Sequence, residues 1–226
     1  MAVLYVVATP IGNLEDITPR AVNTLRAVDF VLCEDTRHSG RLLARFEIRK
    51  PLIACHAHNE QRAAGDVLRR LDAGQDGALV TDAGTPGLSD PGGRVVAAVR
   101  AQGYSVLPVP GPSALAALLS VAGVPGKTVI FEGFLSSKRG RRRARLTELL
   151  SRGEIVVCYE SPHRIVQLLR DLLDIQSEAT VLIGREMTKL HEEYLFGSVA
   201  AVLEQLAGRA KIKGEITLLV SPGKKG

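Results

Sequence analysis

Cysteine is scarce in this chain, and its placement argues against a disulfide framework. Three cysteines occur in 226 residues, and Cys33, Cys55 and Cys158 lie far apart in apolar segments. An odd number of widely spaced cysteines is typical of reduced core thiols and does not fit paired disulfides or a zinc site. His56 and His58 lack a third ligand at metal-binding spacing. We therefore expect no metal.

Long hydrophobic runs are also absent. No apolar segment approaches the roughly 20 residues that a membrane-spanning helix needs, and we expect no signal peptide. Internal repeats and low-complexity segments are missing as well. Because 46% of the 226 residues are hydrophobic, the chain has enough apolar material for two cores. We therefore expect a cytoplasmic enzyme without a membrane anchor.

The first half of the chain alternates short apolar strands with amphipathic helices. Five strands are expected in this half, and the clearest strand patterns lie at 3–8, 30–33, 77–81 and 104–107. Helix starts are expected at Thr18-Pro19, at Asn59 and at Asp90-Pro91, because Asp is a good N-cap and Pro suits the first helical position. This alternation predicts an α/β domain with a parallel sheet, helices on its faces and ligand loops at one end.

The second half follows a different pattern. Its strand patterns lie at 128–132, 154–159, 180–183, 192–196 and 215–220, and its helical patterns at 141–150, 163–173 and 199–206. No helix-length insert separates the patterns at 180 and 192, so a mixed sheet is favoured over a parallel one. The chain break at residues 123–126 suggests two domains, 1–117 and 118–226.

Four loops in the first half are unusually rich in glycine, proline and polar residues. They are residues 9–18, 34–37, 80–93 and 108–114, and each follows an apolar strand. A strand, a glycine loop and a helix start let backbone N–H groups approach a small ligand at the carboxyl end of a parallel strand. A tight turn without a ligand is the alternative for any one such loop. Four of them together favour a ligand site.

Positive charge is concentrated in one segment. The net charge is +5, and Lys138–Arg145 holds six cationic residues in eight positions. A solvated helix start is the common fate of such a run. Cations at a helix N-terminus oppose the helix dipole, however, and this cost is easier to understand if a polyanion binds there. The run predicts phosphate contacts with RNA or DNA from the following residues: Lys138, Arg139, Arg141, Arg142, Arg143 and Arg145.

Ordered motifs along the whole chain resemble one known family. They are Thr9–Thr18, Glu34–Arg37, His58–Glu60, Asp82–Pro86, Pro110–Ser113, Glu132–Leu135, Tyr159–Arg164, Arg185–Lys189 and Lys213–Glu215. In this order they resemble the ribosomal-RNA-modifying branch of the tetrapyrrole methylase superfamily, from about residue 3 to residue 220. The resemblance implies a two-domain α/β fold, a homodimer, and S-adenosylmethionine in a cleft between the domains. It further implies 2′-O-methylation of a decoding-centre cytidine (cytidine 1402) in 16S rRNA, free or within the 30S subunit.

The resemblance also implies which residues border the methyl donor. By position in the motifs these are Pro10, Ile11, Gly12, Asp82, Ala83, Gly84, Thr85, Pro86, Ser113, Ala114, Phe131, Tyr159, Glu215, Ile216 and Thr217. Members that act on tetrapyrroles usually have a glycine-richer first loop that ends in an aspartate. Because residues 10–14 depart from that pattern, the role of this loop cannot be carried over directly, and the departure favours the RNA branch.

Methyl transfer to a ribose hydroxyl requires in-line alignment, and a general base would help because the hydroxyl is a weak acid. The candidate bases are Glu34, Asp35, His58 and Glu186, and the candidate RNA contacts near them are Arg37 and Asn59. Each has a structural alternative, such as Asp35 as a helix cap, and positioning without a protein base is also open. Two other functions are open: a corrin-type tetrapyrrole methyltransferase, and a non-catalytic RNA-binding module.

Overall fold

The computed structural model describes residues 2–223 and divides into two compact units, Met1–Ser113 and Ala114–Gly226. The division lies four residues before the expected boundary at 117/118. Residues Ala114–Ser120 form a helix that packs on strands of the second unit, which explains the earlier position. Within residues 2–223, no helix is long and apolar enough to cross a membrane.

The first unit contains a five-stranded parallel sheet, as the sequence predicts. Its strands have the spatial order β3-β2-β4-β1-β5. They are β1 (Val3–Val7), β2 (Phe30–Cys33), β3 (Leu52–Ala54), β4 (Gly77–Leu79) and β5 (Ser105–Val109). The helices are α1 (Pro19–Ala27), α2 (Thr36–Arg45), α3 (Glu60–Asp72) and α4 (Gly93–Ala101), with a short 3-10 helix at Leu14–Asp16.

Both faces of this sheet are covered by helices. Successive residues of a strand point to opposite faces. Accordingly, Val31 packs in one core with Leu25 of α1 and Leu43 of α2. Leu32 packs in the other core with residues of α3 and α4, including Val67. A strand buried on both faces is a continuous apolar run, as β2 is. The carboxyl ends of all five strands therefore lie along one edge, where the ligand loops begin.

The helix starts agree with the sequence in two cases and differ in one. The Thr18 hydroxyl accepts from the Ala21 N–H at 3.1 Å and caps α1, and α3 begins directly after Asn59. The expectation that Asp90 begins a helix is wrong, because α4 begins at Gly93. Gly92 precedes it with φ of 116°, and a Cβ there would lie 2.7 Å from Leu79 Cδ2.

The second unit contains a mixed five-stranded sheet, as the sequence predicts, in the order β6-β7-β10-β8-β9. The strands are β6 (Val129–Phe134), β7 (Ile155–Glu160), β8 (Thr180–Arg185), β9 (Glu193–Ser198) and β10 (Ile216–Ser221). β6 and β7 run parallel, and the other neighbours are antiparallel. The helices are α5 (Ala114–Ser120), α6 (Arg139–Ser151), α7 (Ile165–Ile175) and α8 (Val199–Ala207). Apolar residues of α6, α7 and α8 form the core on one face of the sheet.

Candidate functional site

The loops that follow β1, β4 and β5 are hydrogen-bonded to one another at the carboxyl edge of the first sheet. Thr9 and Gly84 exchange two backbone hydrogen bonds of 2.8 and 3.1 Å. The Thr9 hydroxyl donates to the Thr81 carbonyl at 3.0 Å, and the Thr85 hydroxyl donates to the Pro112 carbonyl at 3.0 Å. The structure therefore joins three segments that the sequence assigns to a ligand site: 10–12, 82–86 and 113.

Gly84 is a point of close approach between these loops. Its φ of 85° lies in the left-handed region that side chains disfavour. A Cβ at this position would lie 3.3 Å from Ile11 Cγ2 and 3.8 Å from the Pro112 carbonyl oxygen. Gly87 has a similar φ of 88°, but a Cβ there would meet nothing within 4 Å. Of these two glycines, only Gly84 is therefore needed for the close approach of its loop to Ile11.

Three carboxyl groups gather beside these loops. Glu34 follows β2, and Asp82 and Asp90 follow β4, the neighbouring strand. Burial raises the pKa of Asp90 to about 6, and the charges of Glu34 and Asp82 also raise it. Burial and Asp82 likewise raise the pKa of Glu34. Acids with raised pKa values are typical of sites that bind or transfer protons.

The sequence does not single out Asp90 as a candidate site residue, because the Asp-Pro pair predicts a helix start. The available signal was its position in a loop that follows the strand adjacent to that of Glu34.

Asp35 and Arg37 form an ion pair at the start of α2. The Asp35 carboxylate caps α2 by accepting from the Arg37 N–H at 2.8 Å, and it pairs with the Arg37 guanidinium at 3.1 Å. These bonds lower the pKa of Asp35 to about 2. Such a weak base does not suit proton abstraction, so the geometry opposes the catalytic role expected for Asp35. The Arg37 side chain is 88% exposed and stays accessible to a second anion.

The loop after β3 is stabilised by hydrogen bonds among its own residues. The Asn59 amide accepts from the His56 N–H at 2.7 Å and donates to the Ala54 carbonyl at 2.9 Å. Asn59 thus stabilises its own loop, and its contact with RNA stays a prediction. The exposed His58 ring lies 6.2 Å from that of His56. Across residues 2–223, no three His, Cys, Asp or Glu side chains are arranged to hold a metal ion.

The expected donor-binding residues of the second unit are Phe131 on β6, Tyr159 on β7, Glu215 directly before β10, Ile216 and Thr217 on β10, and Ala114 at the start of α5. The rings of Phe131 and Tyr159 meet edge to face with centroids 5.0 Å apart. Tyr159 is paired with Thr217 across β7 and β10. The Ile216 side chain packs in the core, so its backbone alone is available to a ligand. Glu215 is exposed and pairs with the Lys189 ammonium at 2.9 Å.

Glu186 does not have the environment expected of a base. Its carboxylate accepts from the Glu215 N–H at 2.9 Å and from Lys189 Nζ at 3.0 Å. The Glu215 hydrogen bond, followed by that of Lys189, lowers the pKa of Glu186 despite partial burial. Glu186 therefore joins two loops of the second unit, and its catalytic role stays a prediction that this environment does not favour.

Most of the basic run is paired within the second unit. Arg142 is buried and donates from Nε and Nη2 to the buried Asp171 carboxylate at 2.9 and 2.6 Å. Arg139 and Arg143 also contact Asp171. Burial raises the pKa of Asp171, but the hydrogen bonds from Arg142 and Arg139 outweigh it and hold the pKa below its usual value. The cations at the start of α6 thus face a carboxylate on α7, which offsets the unfavourable helix dipole.

This pairing corrects the expected RNA contacts. Arg142 is not available to phosphate, because its side chain is 4% exposed and fully engaged. Arg145 pairs with Glu132 and Glu148 at 2.8 and 2.7 Å. Within the described part of the chain, Lys138 and Arg141 are the members of the run without an ion pair, and both are exposed.

The sequence matches the model of the family Tetrapyrrole (Corrin/Porphyrin) Methylases over residues 3–203. A solved structure titled Uroporphyrin III C-methyl transferase, from Thermus thermophilus, superposes with a TM-score of 0.67. The two chains are 19% identical, and the match covers 98% of this chain and 97% of the other. At this identity the likeness shows the fold alone.

Curated relatives are much more similar. Ribosomal RNA small subunit methyltransferase I of Xylella fastidiosa (strain Temecula1) is 48% identical over 96% of this chain and 80% of its own length. Proteins of the same name from Borrelia garinii and Thermotoga maritima are 46% and 44% identical, over 96% and 98% of this chain and 98% and 99% of their own. The chain therefore belongs to the tetrapyrrole methylase family and, within it, to the ribosomal RNA small subunit methyltransferase I proteins.

Proposed function

We propose that this protein transfers a methyl group from S-adenosylmethionine to the 2′-oxygen of a cytidine ribose in the decoding centre of 16S rRNA, at cytidine 1402. The observation that carries the proposal is the identity of 43–48% to several proteins named ribosomal RNA small subunit methyltransferase I, over nearly the whole chain. The motif resemblance is the basis for the choice of cytidine 1402 and of its 2′-oxygen, which are the more specific part of the proposal.

The joined loops of the first unit fit the proposed methyl donor. Gly84 has no Cβ, so its loop can lie against Ile11 and the Pro112 carbonyl, which holds these segments together. Residues 10–12 and 82–86 are the segments that would hold it. When bound, S-adenosylmethionine supplies a methyl group on a positively charged sulfur. The carboxyl groups of Glu34, Asp82 and Asp90 supply the negative charge that favours a cationic ligand at this edge.

Asp90 is the proposed general base. A base must be ionised at the working pH and yet be basic enough to take a proton. With a pKa of about 6, Asp90 is ionised at neutral pH and is a stronger base than an ordinary aspartate. Glu34, whose pKa is also raised, is the second candidate. Asp35 and Glu186 have lowered pKa values and do not meet the second condition.

Tetrapyrrole methylation is the competing function, because the family and the solved structure carry tetrapyrrole names. The curated relatives favour ribosomal RNA. A non-catalytic RNA-binding module would leave both the joined loops and the raised carboxyl pKa values without a purpose.

Methyl transfer from labelled S-adenosylmethionine separates these functions. The purified protein is offered 16S rRNA transcript, 30S subunits and a tetrapyrrole acceptor in parallel. We expect label in RNA and none in the tetrapyrrole, and comparison of the two RNA substrates shows whether assembly is required. Label in the tetrapyrrole alone would overturn the proposal, and binding without transfer would favour the RNA-binding module. The homodimer remains a prediction, which sedimentation equilibrium tests.

A further inference from the structure

We propose that the exposed face of α2, rather than the basic run on α6, binds the phosphate backbone of the RNA. The surface consists of Arg37, Arg41 and Arg45, here called the α2 arginine stripe. The inference rests on the proposed RNA substrate and locates the part of this protein that holds it.

The stripe follows from helix geometry. Arg37, Arg41 and Arg45 are spaced four residues apart, so they lie on one face of α2, with successive Cα atoms about 6 Å apart along the axis. All three are exposed, and Leu42 and Leu43 are buried. Like charges at this spacing repel one another and weaken an isolated helix. The arrangement is therefore better explained by an anionic partner than by helix stability.

The stripe differs from the run on α6 in its internal partners. Arg41 and Arg45 form no ion pair with any carboxylate within residues 2–223. Arg37 pairs with its neighbour Asp35 but is 88% exposed. Most arginines of the α6 run are already bound to Asp171, Asp174, Glu132 or Glu148. Free guanidinium groups that remain hydrated can exchange water and counterions for phosphate, whereas paired ones must first lose a partner.

A cavity lies at the far end of the stripe. Its volume is about 480 Å³, and its walls include Arg45, Arg26, Phe46, Val22 and Leu14. This volume is in the range of small-ligand sites. Single-stranded RNA is typically held by cationic groups along its backbone and by apolar or aromatic surfaces against unstacked bases. The cavity supplies two guanidinium groups, of which Arg26 also donates to the Phe46 carbonyl at 3.2 Å, together with the Glu15 carboxylate and an apolar wall. It therefore suits one base of an RNA strand whose phosphates follow the stripe.

The stripe also begins beside the proposed reaction centre. The residue that precedes α2, Asp35, donates its N–H to Asp82 at 3.2 Å, and Glu34 belongs to the acidic group. From this point α2 leads away from the carboxyl edge of the sheet. An RNA strand along the stripe would thus run from the reacting ribose to the cavity.

The test compares two charge-matched double variants by RNA binding across a salt series. Arg41→Gln with Arg45→Gln removes two cations of the stripe. Arg62→Gln with Arg100→Gln is the control, because these arginines are exposed and without an ion pair within residues 2–223, on the helices α3 and α4 of the opposite sheet face. The probe is a 16S rRNA transcript followed by fluorescence anisotropy. Circular dichroism and S-adenosylmethionine binding verify that both proteins are intact.

For the stripe variant we expect the slope of log affinity against log salt to become shallower by about 1.4, since each phosphate contact to a single strand contributes about 0.7. Affinity near physiological salt should fall on the order of tenfold. The control should keep the wild-type slope. Arg41→Lys with Arg45→Lys should retain most of the slope, because the charge is kept. Asn23→Trp, which fills the cavity from α1, should weaken binding without changing the slope.

A wild-type slope in the stripe variant, or an equal loss in stripe variant and control, would overturn the inference. Unchanged affinity in Asn23→Trp would remove the cavity from the RNA path. Failure of the wild-type protein to methylate 16S rRNA in any form would overturn the proposed function instead. If the wild-type enzyme is active and the stripe variant binds RNA as the wild type does, the proposed role of the α2 arginine stripe is overturned and the proposed function stands.

Discussion

At the scale of single residues, the proposed chemistry depends most on Asp90. Its pKa of about 6 means that the carboxyl group is protonated below pH 6 and ionised above it. A base acts only when ionised, so turnover should fall as the pH drops through about 6. Asp90→Asn should lower kcat at least about 100-fold and remove this inflection. The pH dependence of kcat on 16S rRNA measures both effects.

Glu34→Gln is the informative companion variant. Because the negative charge of Glu34 raises the pKa of Asp90, its removal should shift the acid limb of the profile to lower pH and leave turnover in place. If Glu34→Gln removes the inflection and Asp90→Asn retains it, the base is Glu34 and the assignment is wrong.

Gly84 allows a second prediction at this scale. Gly84→Val introduces a side chain between Ile11 and the Pro112 carbonyl, in a left-handed conformation. We expect S-adenosylmethionine binding to be lost in isothermal titration while the circular dichroism spectrum persists. Gly87→Val is the control, because it carries the same backbone strain in open space. Equal binding by the two variants would show that the Gly84 loop does not line the donor site.

At the scale of elements, the contact between α6 and α7 depends on Asp171. Asp171→Ala leaves Arg142 buried without its partner, which should cost about 3–5 kcal/mol of unfolding free energy. Asp174→Ala removes an exposed partner and should cost at most about 1 kcal/mol. Urea unfolding measures both. A small effect of Asp171→Ala would mean that the arginines find water or other acceptors.

The same ion pairs predict a pH dependence. The guanidinium groups hold the pKa of Asp171 below its unfolded value in the folded protein. Their stabilisation is therefore present above the unfolded pKa, about 3.9, and is lost as the pH falls through the lower folded pKa. Asp171→Ala should remove this acid-side loss, which urea unfolding at a series of pH values can detect.

The elements themselves were largely predictable from the sequence. Hydrophobic periodicity located most of the strands, and the Thr-Pro pair located the Thr18 cap, because both signals are local properties of the chain. The start of α4 was not predictable in this way: the Asp-Pro pair is a good local signal, but Gly92 meets Leu79 of β4 and donates to Glu60 of α3. Contacts between elements decided that boundary.

The joining of the candidate-site loops was predictable from the sequence, whereas the partners of individual side chains were less so. The joined loops at Thr9, Gly84 and Thr85 follow from glycine, proline and threonine patterns at strand ends. The partner of Arg142, in contrast, is 29 residues away on another helix. A run of cations looks the same in sequence whether it faces solvent, RNA or a buried aspartate. The α2 arginines, spaced by four, form a less conspicuous pattern than the contiguous run.

At the scale of the whole molecule, the fold is common to a family whose members act on different acceptors, whereas the proposed substrate of this protein is specific. The fold is shared with a tetrapyrrole enzyme at 19% identity, so the fold alone does not choose the acceptor. The relatives at 43–48% identity support ribosomal RNA as the acceptor, and the proposed RNA contact along the α2 arginine stripe would supply cations for its phosphates.

Nucleoside mass spectrometry of methylated RNA tests this account most directly. 16S rRNA and 30S subunits that lack the modification are incubated with the protein and labelled S-adenosylmethionine, digested to nucleosides and mapped by fragment. The account predicts one labelled product, 2′-O-methylcytidine, from the decoding-centre fragment that contains cytidine 1402. Label on a base carbon or nitrogen, on another nucleotide, or in no RNA product would contradict it.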